Sequence, residues 1–244
     1  SYNKGADVIH TLRGYLGDSL FRSGMTSFLQ ANAFKPVNSA MLRDHLTQFT
    51  GKDMTDFFND WIFQPGWAAF EVDSFRVSPP PTPGAAHPVT IHITQKQRGP
   101  SQPYNNVPLT VTCLDAAGNV WSTTEPVHVS GPQSSVSVLS PLVPKWIVLN
   151  TDERISQAVT FDMDTLTVPG TVSYYHTDLR LTVVQTPQPF TVYTEEYWVA
   201  ADEATDAPFA YVVSHDRYWR ITGAFPEGAQ VNARFSYDGR PNIS

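Results

Sequence analysis

Two hydrophobic periods divide the chain. Over residues 1–66 apolar positions recur at spacings of three and four, and beyond them they recur at every second position. Val8, Ile9, Leu12 and Leu16 share one face and predict a buried helical stripe. A second helix is predicted from about Asp18 to Ala33, with Leu20, Phe21, Met25, Phe28 and Leu29 inward and Gly24 as a local weakness. Lys35-Pro36 breaks the pattern. Asn38 or Ser39 caps a third helix carrying Met41, Leu42, His45, Leu46 and Phe49, and Gly51 is placed to end it in a left-handed conformation. Asp53 or Thr55 starts a fourth, crowded with Met54, Phe57, Phe58, Trp61 and Ile62, and Gln64-Pro65-Gly66 stops it.

Strand patterns then take over. Val89, Ile91 and Ile93 alternate with polar residues, and Leu109 to Leu114 alternates too. Asp115-Ala116-Ala117-Gly118-Asn119 reads as a hairpin turn. Trp146-Ile147-Val148-Leu149-Asn150 is continuously apolar, which predicts a strand buried on both faces. Short strands at this spacing predict a β-sandwich, with residues 158–161 as a candidate last strand. A second β module follows, with strands expected at 170–175, 179–185, 190–193, 196–200, 209–213, 218–222 and 230–236.

Composition narrows the class. The 244 residues allow two or three domains at roughly 100 residues each. Charged residues make up 16%, below the usual ~25%, which with 20 prolines suits β modules better than a cytosolic helical enzyme. A net charge of −7 argues against nucleic-acid or anionic-membrane partners. No apolar run approaches the ~20 residues of a membrane span. Cys113, the one cysteine, lies in an apparent strand and reads as a small buried hydrophobe.

Several short motifs carry a family resemblance. Tyr2-Asn3-Lys4-Gly5-Ala6 before an apolar helix resembles the tyrosine motif of the gluzincin zinc aminopeptidases, the family of aminopeptidase N and leukotriene-A hydrolase. Leu16-Gly17-Asp18 with Phe21 and Gly24-Met25, Leu42 to Phe49, residues 50–54, and Phe57 to Gly66 resemble later segments of that family in the same order. Ala68 departs from the family's usual Pro. The resemblance implies an α+β multidomain chain. Residues 1–68 would be the helical end of a thermolysin-like catalytic domain, 69–163 a β-sandwich, and 164–244 an additional β module.

It also implies what chemistry to look for. The family holds zinc with two histidines one helical turn apart, a glutamate between them as general base, and a further glutamate. The seven histidines here include no pair four apart and no His-Glu dipeptide, and the family's Gly-Ala-Met-Glu-Asn motif is missing. Both motifs precede the tyrosine motif in that family. The expectation is therefore a C-terminal portion of a zinc aminopeptidase: zinc in the intact parent, none in this chain, peptides as the parent's substrates, and the missing front of the catalytic domain as a partner. Tyr2 is the catalytic residue that the resemblance delivers. Its phenol donates a hydrogen bond while neutral near pH 7 and would stabilise the oxyanion of the scissile carbonyl. Lys4 and Asp7 match the motif without assigned chemistry.

Other candidates read as structural. His10 and His45 lie on or beside apolar faces. Ser214-His215-Asp216 would point to opposite faces of a strand and cannot form a triad. Asp162, Asp164, Glu195, Glu196, Asp202 and Glu203 form no complete calcium loop. Tyr193, Tyr197, Trp198, Tyr211, Tyr218 and Trp219 could form a ligand-stacking face, though core and cross-strand packing is the commoner use of such alternation. The alternative to a peptidase portion is a non-catalytic binding or adhesion protein built on β-sandwiches. The low charge and Thr/Ser richness lead to the expectation of an extracytoplasmic location.

Overall fold

The computed structural model describes residues 2–202 and 214–236, with side chains from Lys4 onward. Its helices are α1 (Tyr2–Leu16), α2 (Asp18–Ala31), α3 (Ser39–Thr50) and α4 (Thr55–Trp61). Two local signals of α3 operate as read, whereas α4 has Met54 at its N-cap and Leu29, expected inward, is exposed. Asn38 caps α3 by accepting from the Met41 N–H at 2.9 Å, and Gly51 closes it at φ 71°. Gly24 has a tertiary reason: a Cβ there would lie 2.9 Å from Leu46 Cδ2, so glycine lets α2 approach α3 closely.

A β-sandwich follows. One sheet orders β1 (Trp67–Val77), β2 (His87–Arg98) and β7 (Gln133–Ser140) as β1-β2-β7. The other orders β4 (Val111–Leu114), β5 (Val120–Ser122) and β8 (Trp146–Leu149) as β5-β4-β8. The short pair β3 (Val107–Leu109) and β6 (Val127–Val129) completes it. Asp115 organises the predicted hairpin turn, its carboxylate accepting from the backbone N–H groups of Ala117 and Asn119. The alternating Val89, Ile91 and Ile93 face inward, against Val111, Cys113, Ile147 and Leu149. That core is continuous with Leu12, Leu46, Met54, Phe57, Phe58 and Trp61 of the helical segment. Helices and sandwich therefore share one apolar interior.

The second module stacks the sheet β13-β12-β9 on the sheet β10-β11-β14. Its strands are β9 (Val159–Leu166), β10 (Gly170–Tyr174), β11 (Leu179–Gln185), β12 (Phe190–Tyr197), β13 (Tyr218–Gly223) and β14 (Gln230–Phe235). Two strand expectations change. Residues 159–161 do not close the first sandwich; they open β9, which pairs antiparallel with β12 from Val159↔Tyr197 to Leu166↔Phe190. The expected strands 190–193 and 196–200 merge into one that ends at Tyr197, because Thr194 and Glu195 continue the ladder inside the protein. The strand expected at 209–213, Tyr211 and Glu203 lie outside the described residues.

The modules are joined by apolar and charged contacts. Val148 and Leu114 pack with Tyr193, so the outer face of β8 is covered by the second module. That is why 146–149 is apolar on both faces. Beside this patch, Glu71 of β1 accepts from the Tyr218 hydroxyl at 2.7 Å and pairs with Lys96 at 3.2 Å and Arg220 at 3.4 Å. Glu195 sits behind them, accepting from the Tyr197 hydroxyl at 2.9 Å. Burial pushes its carboxyl up to about 7, against the opposing pull of Arg220.

Glu195 gives a pH prediction. A carboxyl whose folded pKa lies above its unfolded value contributes stability fully below the unfolded pKa, and that stability is lost as pH rises through the folded pKa. The Glu195 contribution is therefore present near pH 4 and gone above about pH 7. Glu195→Gln should match the parent chain in thermal melts at pH 4.5 and gain on it steadily toward pH 8. A mutant-minus-parent difference in melting temperature that stays flat across that range would contradict the assignment.

Candidate active-site helix

The residue singled out by the tyrosine motif lies at the first position of α1. The side chains of Tyr2 and Asn3 lie outside the described residues; the rest of α1 is defined and is held at three places. First, its apolar stripe is buried: Val8, Leu12 and Leu16 are 8%, 1% and 4% exposed. Ile9, placed on the same stripe by spacing, is 41% exposed, so the buried face is narrower than predicted. Second, Lys4 reaches from the opening turn to the segment joining α4 to β1. Its ammonium donates to the carbonyl of Gly66 at 3.1 Å and of Gln64 at 3.5 Å, and lies 5.3 Å from the centre of the Trp67 ring. Burial lowers its pKa. Lys4 is thus an anchor of the helix start.

Third, the segment after β8 clamps the middle of α1. Thr11 is fully buried; its hydroxyl donates to the Asp7 carbonyl and accepts from the Ser156 N–H at 3.0 Å. His10 Nε2 and the Glu153 carbonyl oxygen are 2.6 Å apart, with the ring donating. Asn150 holds the clamp's shape, exchanging side-chain hydrogen bonds with the backbone N–H and carbonyl of Ile155. The closest approach is at Gly14, where a Cβ would lie 2.0 Å from the Arg154 carbonyl oxygen. Only glycine fits there. Nothing in the local sequence flags Thr11, Gly14 or residues 150–158 as partners, because their pairing is made by contacts some 140 residues apart.

The remaining candidates are placed elsewhere. The His45 ring lies between Phe28 and Phe49, with centroid distances of 5.4 and 6.0 Å. Ser214, His215 and Asp216 lie in a bend and not in a strand, and the Ser214 hydroxyl donates to Asp216 at 2.7 Å. Asp162 accepts from the backbone N–H and ring of His176 and from the Thr177 hydroxyl. Glu196 pairs with Arg217 at 3.0 Å and Asp202 with Lys96 at 2.9 Å. Tyr193 and Tyr197 are buried, and Tyr197 stacks on Tyr218 at 4.7 Å, so these members of the aromatic set serve packing. Cys113 is fully buried, and burial pushes its thiol up.

Among the described residues, no group of three or more His, Cys, Asp or Glu side chains is arranged to hold a metal ion. The described residues do not fit a zinc site, so no step through zinc is assigned to them. No described helix is long and apolar enough to cross a membrane.

Comparison with known proteins bears on this same helical segment. Residues 1–61 match the model of the Peptidase family M1 domain, so the resemblance read from the tyrosine motif and the helices behind it holds. Aminopeptidase N of Lactococcus lactis is 32% identical over 66 residues, 27% of this chain and 8% of that protein. Aminopeptidase M1-C of Oryza sativa is 28% identical over 142 residues, 50% of this chain and 16% of that protein. This similarity runs well past the helices. In fold, the chain is similar to the crystal structure of Legionella pneumophila aminopeptidase A in complex with aspartic acid. That match has a TM-score of 0.51 at 18% identity and covers 63% of this chain and 17% of the other. The chain spans 8% and 16% of the length of these two relatives.

Two substitutions test the mounting of α1. Gly14→Ala should cost at least about 2 kcal/mol, because the methyl must displace backbone. Gly5→Ala, at an exposed position with open space around it, should be neutral or stabilise by up to ~1 kcal/mol. Urea denaturation of both would check this, and equal midpoints would contradict the close approach. Lys4→Ala should cost about 1 kcal/mol through its lost hydrogen bonds, measured in the same way.

Proposed function

We propose that the protein containing this chain is a zinc aminopeptidase that removes N-terminal residues from peptides, and that this chain supplies one catalytic group, Tyr2. The observation that carries the reading is the placement of Tyr2 at the first turn of a helix inside the segment matched by the M1 family model. In a peptidase of this kind zinc supplies Lewis-acid activation of water and of the scissile carbonyl. Its ligands would come from residues outside this sequence, as would part of the peptide site. Tyr2 would donate its phenolic proton in a hydrogen bond to the carbonyl oxygen as negative charge develops there. A donor of this kind works only if it is already in place. The anchoring of α1 by Lys4 and by the 150–158 clamp supports that role. The low charge content supports an extracytoplasmic location for the protein.

The test uses the longer protein with its zinc bound. Tyr2→Phe should lower kcat by about 10²–10³-fold, the loss expected for one oxyanion donor, with zinc content unchanged. An unchanged kcat would overturn the role of Tyr2. The 244-residue chain alone, given excess zinc and an aminoacyl chromogenic substrate, should show no turnover. Turnover by it would overturn the assignment of the metal site to residues outside this chain.

A further inference from the structure

A cleft of about 490 Å³ opens where α1, the first sandwich and the second module meet. Its size is that of a small-molecule site. The peptidase reading does not use it, and its lining has features that general packing does not explain.

The first is Arg98, the last residue of β2. Its guanidinium carbon lies 5.4 Å from the centre of the Trp198 ring. It makes no ion pair and no side-chain hydrogen bond among the described residues. A guanidinium resting on an indole keeps its N–H fork free in a fixed direction, the arrangement that suits a carboxylate. The second is Gln157. Its side-chain oxygen is buried and has no hydrogen-bond partner among the described residues, so it can accept from a ligand N–H or a water.

The backbone puts these two at the same end of the cleft. Trp67 pairs with Arg98 across β1 and β2. The next residue, Ala68, accepts at its carbonyl from the Ala158 N–H at 2.8 Å, and the Ala158 carbonyl accepts from the Trp198 N–H at 2.9 Å. Gln157 precedes Ala158, so a cation and an acceptor without polar partners among the described residues flank the same short hydrogen-bonded seam. Asp7 and Glu153 add negative charge along the α1 side of the cleft, where a ligand nitrogen would be favoured. The indole faces are largely taken: Arg98 and Arg217 lie over Trp198, and Lys4 lies over Trp67. Flat stacking of a sugar is therefore disfavoured, and polar recognition dominates.

We propose that this cleft binds an α-carboxylate that carries an N–H donor on the adjacent carbon. Arg98 takes the carboxylate and Gln157 accepts from the N–H. This chemistry is shared by a free α-amino acid and by the C-terminal residue of a short peptide. The site does not rest on the peptidase reading, and its test involves no catalysis.

Isothermal titration calorimetry of the 244-residue chain decides it. The probes are L-phenylalanine, the tripeptide Ala-Ala-Phe and L-phenylalaninamide. Phenylalanine or the tripeptide should bind, and the amide, which lacks the carboxylate, should bind at least about tenfold more weakly. Tighter binding of phenylalanine identifies the free amino acid as ligand; tighter binding of the tripeptide identifies the peptide end. Arg98→Ala and Gln157→Leu should each weaken the better probe by about tenfold. Equal binding of the amide, an Arg98→Ala variant of unchanged far-UV spectrum and unchanged affinity, or no heat from any probe at ~10 mM would overturn the site. The comparison of acid with amide needs no variant and stands even if one fails to fold.

Discussion

The structure depends on the burial of Trp61. Its ring is 1% exposed and sits where the helices end and the sandwich begins. Phe57 stacks on it from within α4, Trp67 meets it from β1, and Tyr104 meets it edge-on from the sandwich at 4.9 Å. Its N–H donates to the Tyr15 hydroxyl of α1 at 3.1 Å, which satisfies the one polar atom that burial would strand. Burial of a large aromatic of this kind is worth about 3–5 kcal/mol against truncation. Here that energy ties three separate stretches of sequence to each other. The helical segment has no interior of its own; it completes its core with the sandwich. The direction in which α1 points is consequently set by residues far along the chain.

The second module is attached by a different kind of contact. Its apolar patch against β8 is small, and charge supplies the rest of the fit. Glu71 is surrounded by Lys96, Arg220 and the Tyr218 hydroxyl, so its charge is compensated within the interface. Such a group adds little net stability compared with an apolar replacement, but removing one partner is costly, and the requirement for every partner fixes the register of docking. The cation–aromatic series of Arg98, Trp198, Arg217 and Trp219 runs along the same boundary and has the same effect. The cleft beside α1 exists because the modules are held at this angle.

Much of this fold was legible in the sequence wherever the signal is local. The spacing of Val8, Leu12 and Leu16, the Asn38 cap, the Gly51 terminator and the alternation of Val89, Ile91 and Ile93 each state a rule that their neighbours obey. The apolar run at 146–149 also carried a long-range message, since a strand covered on both faces needs a second layer. The gap expected at 194–195 is not there: β12 runs through it, and its adjacent carboxylates point to opposite sides, Glu195 beside Tyr197 and Glu196 toward Arg217. Residues 159–161 misled because strand pattern does not reveal which sheet a strand joins. Of the candidate site, the tyrosine motif was visible and its mounting was not. The anchoring by Lys4, the clamp on Thr11 and the need for glycine at position 14 arise only when distant segments meet.

The central claim is that α1 and the sandwich form one unit, so that the start of the helix is held by the whole core. Native-state hydrogen exchange measures this directly. The amides of Val8 and Leu12 in α1 and of Ile91 and Ile93 in β2 should exchange with the same free energy of opening and the same dependence on denaturant. That is the signature of a single cooperative unit. If the α1 amides opened several kcal/mol more easily than the β2 amides, the helix would be an independently mobile element. The shared core could not then be what positions Tyr2.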